Sequence, residues 1–433
     1  MDQPLPDLPP SIAQDILSCA SFLKGRFPCA EAAFQGRLPV LGWLIQMGHP
    51  IDGHTFSAAA RAGRLEVLKH LRALGCPWNT LAFAHAADQG NWEILRWLRE
   101  QGCPWDTFAC SFAAQRGRLD VLRWLREHGC PWDECTCSSA AENGHMHVLQ
   151  WARANGCPID SFACSSAAAG GHLHILQWLR ANNFPWKMDT CFEAAKNGHT
   201  EILLWAIDNG CEVEQTHVCS SAASGGHLDT LKRLREDLGF RWNERTCALA
   251  AEDGHLDVLR WAREQGCPWD KKACRLAARE GRLAVLQWLR ANGCPWDAHT
   301  CYAAAEEGNL DVLRWAIENG CPWDADICTR AAQNDRAVIL RWVAESRLCP
   351  FPAEACDAAA YNGDLEAVRW LRANGCPWHE TTCAHAAAGG HLEVLQWLRA
   401  NGCPWDAGAR TYALCHGHIA VERWMDANGC PLA

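Results

Sequence analysis

Cysteine, histidine and tryptophan are the residue types of this chain that could do chemistry. Its 433 residues include 27 Cys, 19 His and 24 Trp, beside only 3 Tyr and 5 Met. Such a set could ligate a metal, exchange disulfides or hold a haem. Twelve cysteines recur in one kind of site: Cys76, Cys103, Cys130, Cys157, Cys211, Cys267, Cys294, Cys321, Cys349, Cys376, Cys403 and Cys430. All but Cys211 precede a proline. Eleven more run from Cys110 and Cys137 to Cys383 in a second kind of site. No Cys-x-x-Cys pair occurs, and the recurring spacing of seven is not a zinc spacing. The densest local cluster, Cys130, Cys135 and Cys137, is the best metal candidate in the chain. A histidine follows a glycine at His145, His172, His199, His227, His255, His391 and His418. There is no phosphate loop, nucleophile elbow or His-Glu-x-x-His pair. The expectation is therefore a protein without catalytic residues, cofactor or metal.

The elements that position these residues come from a repeat. A glycine follows a paired alanine at Gly36, Gly63, Gly90, Gly117, Gly144, Gly171 and Gly198, and again from Gly226 to Gly417. Asp335 fills the one missing slot, so there are fifteen copies, 27 or 28 residues apart. Val285–Ala298 and Val394–Ala407 are identical over fourteen residues. A period of this size means stacked supersecondary elements rather than independent domains. Equivalent residues in neighbouring copies then lie about 8–10 Å apart, beyond the roughly 7 Å Cα separation a disulfide tolerates. Most cysteines are accordingly read as small buried apolar side chains.

Residues 296–320 show how one copy folds. Asp297 is suited to cap a helix running from Ala298 to about Glu307, and Gly308 to end it in a left-handed conformation. A second helix follows from about Leu310 to Asn319, with Asp311 in its first turn, where the dipole favours an acid. Leu310, Val312, Leu313, Trp315 and Ala316 give it an apolar face that must be covered by neighbours. Gly320 stops it, and Cys321-Pro322-Trp323-Asp324 links it to the next cap. Thirteen tryptophans, among them Trp97, Trp124, Trp178, Trp288 and Trp397, fall in second helices, where packing is expected. Ten more, including Trp78, Trp105, Trp269 and Trp405, fall in links and are expected to fold over the helix ends. The recurrent histidines are expected to serve the turn between the helices.

The run Thr300-Cys301-Tyr302-Ala303-Ala304-Ala305-Glu306-Glu307-Gly308-Asn309-Leu310-Asp311-Val312-Leu313, with Gly320 after it, resembles an ankyrin repeat. The usual repeat has 33 residues, a β-turn and two helices. The residues missing here belong to the β-turn finger, which the Cys-Pro-Trp-Asp link replaces. The resemblance covers roughly residues 27–433 and implies an all-α solenoid that binds proteins. The Gly-Cys-Pro-Trp-Asp variety looks like the large arrays of amoeba-infecting giant viruses, pandoravirus-like, and of some protists. The excess of 33 Arg over 7 Lys fits a GC-rich source of that kind.

The net charge of −10, from 50 acids and 40 bases, argues against nucleic-acid or membrane partners. No stretch approaches 18 uncharged apolar residues, so no spanning helix is expected. Met1–Pro10 is acidic and proline-rich, unlike a signal peptide. With an odd number of cysteines, this points to reduced thiols in a cytoplasmic compartment (the host cytoplasm for a viral protein); a monomer is expected. In repeat arrays the positions that vary face a partner. Here they are the pair before the turn glycine and the pair after the helix-opening cysteine. By resemblance to ankyrin arrays these lie on the concave face. Tyr, Arg and Phe are the strongest interface anchors, which selects Arg116, Phe192, Arg275, Arg279, Tyr302, Arg330 and Tyr361 as partner-binding candidates. The repeat pattern breaks at 211–246 and at 335–352. Residues 1–26 are expected to form a capping helix, with Ile12, Ile16 and Leu17 covering the open end of the stack. Leu5 to Leu17 also resembles the opening of an F-box, the helix that docks on the Skp adaptor of cullin ubiquitin ligases. That resemblance implies an alternative role as a substrate receptor.

Overall fold

A computed structural model describes residues 28–334, 336–346 and 351–431. The capping-helix and F-box expectations for residues 1–26 lie outside these, as do Asp335 and Cys349. Thirty helices and no strand occur among the described residues, two helices per repeat. The chain divides into two compact bodies between Val213 and Glu214, within the first irregular stretch.

The expected copy forms as read. Its helices span Ala298–Glu307 and Leu310–Glu318. The Asp297 carboxylate accepts from the His299 N–H at 3.1 Å, and Gly308 ends the first helix at φ +83°. In each body consecutive first helices lie with Cα atoms within 8 Å of one another, whereas consecutive second helices make few such approaches. Alanine pairs allow the close approach: Ala113, Ala114, Ala304 and Ala305 are wholly buried. Second helices contribute Val/Ile and Leu to the space between the layers, such as Val121, Leu122 and Leu125.

The tryptophans pack mainly against one another and against arginine rather than in the core. Only Trp43 is buried, and the other 23 are half-buried. A link tryptophan packs against the last turn of the preceding second helix and against a second tryptophan. It meets the second-helix tryptophan of its own repeat edge-on, with centroids 5.9 Å apart for Trp132–Trp151, Trp269–Trp288 and Trp405–Trp424. Its other face lies under an arginine from the preceding second helix: Arg126 is 4.2 Å from the Trp132 ring and Arg263 is 3.9 Å from Trp269. The reason is geometric. Alanine brings the first helices together, and the second helices, carrying larger side chains, stand further apart. The Arg–Trp–Trp stack fills that interval, and an indole buried on one face contributes large apolar area.

Candidate partner-binding surface

Residues that repeat without change hold the stack, and their backbone partners show how. Each described link cysteine directs its thiol to the carbonyl at the N-cap position of the repeat before the link, 24 residues earlier. Cys321 donates to Asp297 O at 3.4 Å and Cys376 to Pro352 O at 3.2 Å. The link cysteine also meets the first-helix cysteine 20 residues before it, so Cys110 bonds Cys130 and Cys301 bonds Cys321. This pairing by 20 is the complement of the spacing of seven within a period of 27, and only the fold reveals it. Of the 25 described cysteines all but Cys135 and Cys415 are buried. Cys135 is exposed while Cys130 and Cys137 are buried, so the candidate metal cluster does not converge. No group of three or more metal-ligating side chains converges among the described residues.

The recurrent histidines cap the repeat before them. His145 Nε2 donates to Gln115 O at 3.1 Å, His199 to Ala169 O at 3.0 Å and His418 to Ala388 O at 2.9 Å. Arg118 does the same to Asp88 O and Asn309 to Arg279 O. Each satisfies an orphan carbonyl at the end of the preceding first helix. At the second-helix end, an asparagine such as Asn319 donates to the carbonyl of Trp315. The arginine over the link ring donates to the link carbonyl, as Arg372 does to Cys376 O at 3.1 Å. With these groups committed to the stack, the surface left to vary is that of the first helices.

The seven candidates fall into distinct settings there. Arg116 is exposed and pairs with Asp88 at 2.7 Å, which raises its pKa. Arg279 is held by Glu280 at 2.9 Å and by Glu252. Arg275 borders a cleft with Lys271, Lys272, Asp297 and His299. Phe192 is only 9 % exposed and offers little surface, because the place after the helix-opening cysteine is largely covered, as at Ser111 and Ala248. Tyr302 and Arg330 meet: the guanidinium carbon is 4.5 Å from the ring centroid. Arg330 also bonds Asp326 at 2.9 Å and Glu306. Burial disfavours the Arg330 charge, but these two hydrogen bonds more than offset it and raise its pKa. The Tyr302 hydroxyl donates to Asp324 at 2.8 Å, and burial together with that bond pushes its pKa up to about 12.

Tyr361 lies between two concavities of this surface. On one side a groove of about 400 Å³ is lined by Thr329, Gln333, Glu354, Asp357, Ala358, Tyr361, Asn362 and His385. On the other, a recess of about 210 Å³ adds Ala384, Ala388, Tyr412 and His416. Sequence reasoning missed Glu354, Asp357, Tyr412 and His416 as site residues. A signal was available: all three tyrosines of the chain sit on first helices between Tyr302 and Tyr412. The N-terminal body exposes apolar rings instead, with Phe108 52 % and Phe162 60 % exposed at the same position of their repeats.

Two layers of short helices, closed by caps that pass from one repeat to the next, define a helix-turn-helix repeat solenoid. The family model described as Ankyrin repeats (many copies) matches residues 110–153 and 356–406, which supports the ankyrin-repeat family for this chain. Among solved structures, the human ASB11 ankyrin repeat domain is similar at 20 % identity, with 43 % of this chain and 98 % of that chain covered and a TM-score of 0.33. The maize pentatricopeptide repeat protein PPR10 is similar at 11 % identity, covering 94 % of this chain and 78 % of that chain, with a TM-score of 0.33. PPR10 in complex with an 18-nt psaJ RNA element is similar at 12 % identity, covering 94 % and 85 %, with a TM-score of 0.26. No curated protein matches the chain.

Proposed function

We propose that this protein is a non-catalytic protein–protein interaction scaffold that takes its partner on the first-helix surface, the concave face by resemblance to ankyrin arrays. The observation that carries the reading is the division of labour among side chains. Cys, Trp, His and the ring-covering Arg are spent on packing and capping, while all three tyrosines lie on first helices, with Tyr361 48 % and Tyr412 52 % exposed. Tyrosine supplies large rigid contact area with a polar tip, the usual make-up of an interface anchor.

The test compares partner sets by proximity labelling in cells expressing the full chain. One variant carries Tyr302→Ala, Tyr361→Ala and Tyr412→Ala. A control carries Arg96→Ala, Arg260→Ala and Arg423→Ala, which lie exposed on second helices. The labelled set is expected to collapse in the tyrosine variant and persist in the control. Persistence in both would end the reading.

A further inference from the structure

The geometry points to an arginine side chain of a partner polypeptide as the occupant of the groove around Tyr361. The inference rests on the scaffold reading and names the chemistry the scaffold takes at this one place.

Charge makes the first selection. The lining presents the carboxylates of Glu354 and Asp357, the phenols of Tyr361 and Tyr412 and the imidazoles of His385 and His416, and contains no Lys or Arg among the described residues. Glu354 is exposed and has no cationic partner among the described residues. Asp357 is only 9 % exposed, and two hydroxyls position it: Thr381 donates at 2.8 Å and Thr382 at 2.5 Å. The nearby His385 Nδ1, 3.8 Å from Asp357, donates instead to Thr381 O at 2.8 Å. A largely buried carboxylate held by neutral donors and open to a groove favours a cation over an anion.

The chain itself shows which cation such a surface accepts. Two repeats earlier, Tyr302 carries the Arg330 guanidinium over its ring at 4.5 Å, with Glu306 and Asp326 holding the charge. The groove has similar parts, a tyrosine beside two carboxylates, and there the place of Arg330, in the repeat after the tyrosine, is taken by His385, whose ring meets Tyr361 edge-on at 6.4 Å and brings no guanidinium. No cation lies over Tyr361 or Tyr412 among the described residues. A guanidinium is planar, stacks flat on an aromatic face and forms paired bonds to a carboxylate; an ammonium is a point charge that can sit over a ring but neither stacks nor makes the paired fork. The groove crosses the helices Ala353–Asn362, Glu380–Ala388 and Ala407–Cys415. Ala358, Ala384 and Ala388 leave its floor low enough for the backbone on either side of the arginine.

Because the chain has three tyrosines, fluorine NMR of the full chain labelled with 3-fluorotyrosine gives one signal for each, assigned by Tyr→Phe substitution. The probes are acetyl-Gly-Arg-Gly-amide and its lysine and citrulline counterparts. The arginine peptide is expected to shift the Tyr361 and Tyr412 signals saturably below about 10 mM, and to leave Tyr302, already covered by Arg330, unmoved. Citrulline, which keeps the plane but loses the charge, is expected to bind about fivefold more weakly or worse. Lysine is expected to fall between them. Glu354→Gln, on an exposed side chain, weakens the shift without disturbing the fold, and Asp357→Asn abolishes it. An absent shift, an equal response to citrulline, or an equal movement of Tyr302 overturns the assignment. If the shift is absent while the tyrosine variant still loses its labelled partners, the arginine assignment fails and the scaffold reading stands.

Discussion

At the residue scale the repeat depends on backbone conformations and buried polar groups that can be altered one atom at a time. A Cβ on Gly117 would stand 2.7 Å from His145 Nδ1, on a backbone at φ +67°, so this glycine is needed twice over. The second-helix stop is usually glycine as well, but Asn183 takes that place at φ +61°. It is the one non-glycine residue in the left-handed region among the described residues. Asn183→Gly is expected to stabilise the protein by up to about 1 kcal/mol, since an L side chain is disfavoured there. Urea unfolding of the two proteins checks this, and a loss of stability would mean the asparagine side chain has a bonding role. A second expectation concerns Thr136, Thr190, Thr246 and Thr300, whose buried hydroxyls have no hydrogen-bond partner. Val218 and Ile327 occupy the same place in other repeats, buried and apolar. Thr300→Val is therefore expected to be neutral or stabilising by about 1 kcal/mol, because no bond is broken and no polar atom is left buried. A clear destabilisation in the same assay would show that the hydroxyl is satisfied after all.

At the element scale, links and second helices support one another through the arginine that covers each link ring. Arg399 Cζ lies 4.2 Å from the Trp405 ring, and its guanidinium donates to Cys403 O, which no helix satisfies. Arg399→Ala removes a cation–π contact and leaves that carbonyl only the weak Cys383 thiol donor at 4.0 Å, an expected cost of about 2 kcal/mol. Hydrogen exchange should rise first in the link Cys403–Asp406, and unchanged exchange there would refute the role. This stack also marks how far the sequence could be read. The period, the Asp caps, the glycine stops and both helices of the repeat follow from local rules about caps and left-handed turns, and they hold in residues 296–320. What the tryptophans touch does not follow, because Trp296 and Trp315 meet 19 residues apart across a whole first helix. The Cys301–Cys321 pairing was hidden for the same reason. On the surface, Tyr302, Arg330 and Tyr361 were readable as variable large side chains. Glu354 and Asp357 were not, since their value lies in the groove they share with Tyr361.

At the scale of the whole molecule, burial makes many thiols hold their protons more tightly, while the bond to a first-helix thiol shifts the link thiols Cys211, Cys321, Cys376 and Cys403 the other way. Burial pushes Cys103, Cys164 and Cys219 up to about 12, from an ordinary 9.0. Within pairs, the hydrogen bond to Cys321 and then burial hold the Cys301 proton far above the ordinary range. The sign of the consequence is fixed. The folded chain binds these protons more tightly than the unfolded chain, so stability is complete below pH 9 and falls as pH rises toward 12. Within that window each thiol contributes a slope of about 1.4 kcal/mol per pH unit, and Cys103, Cys164 and Cys219 together about 4. Replacing all three by alanine loses some packing at pH 7, about 1 kcal/mol for each small side chain, but also removes their share of the slope. The variant is therefore expected to be the less stable protein at neutral pH and to lose its disadvantage between pH 9 and 12. Circular dichroism during alkaline unfolding, set beside denaturant unfolding at pH 7, reads both ends of that comparison. A stability gap that stays constant across the range would mean that these thiols ionise in the folded chain as they do in water. The excess of cysteine would then carry no pH dependence.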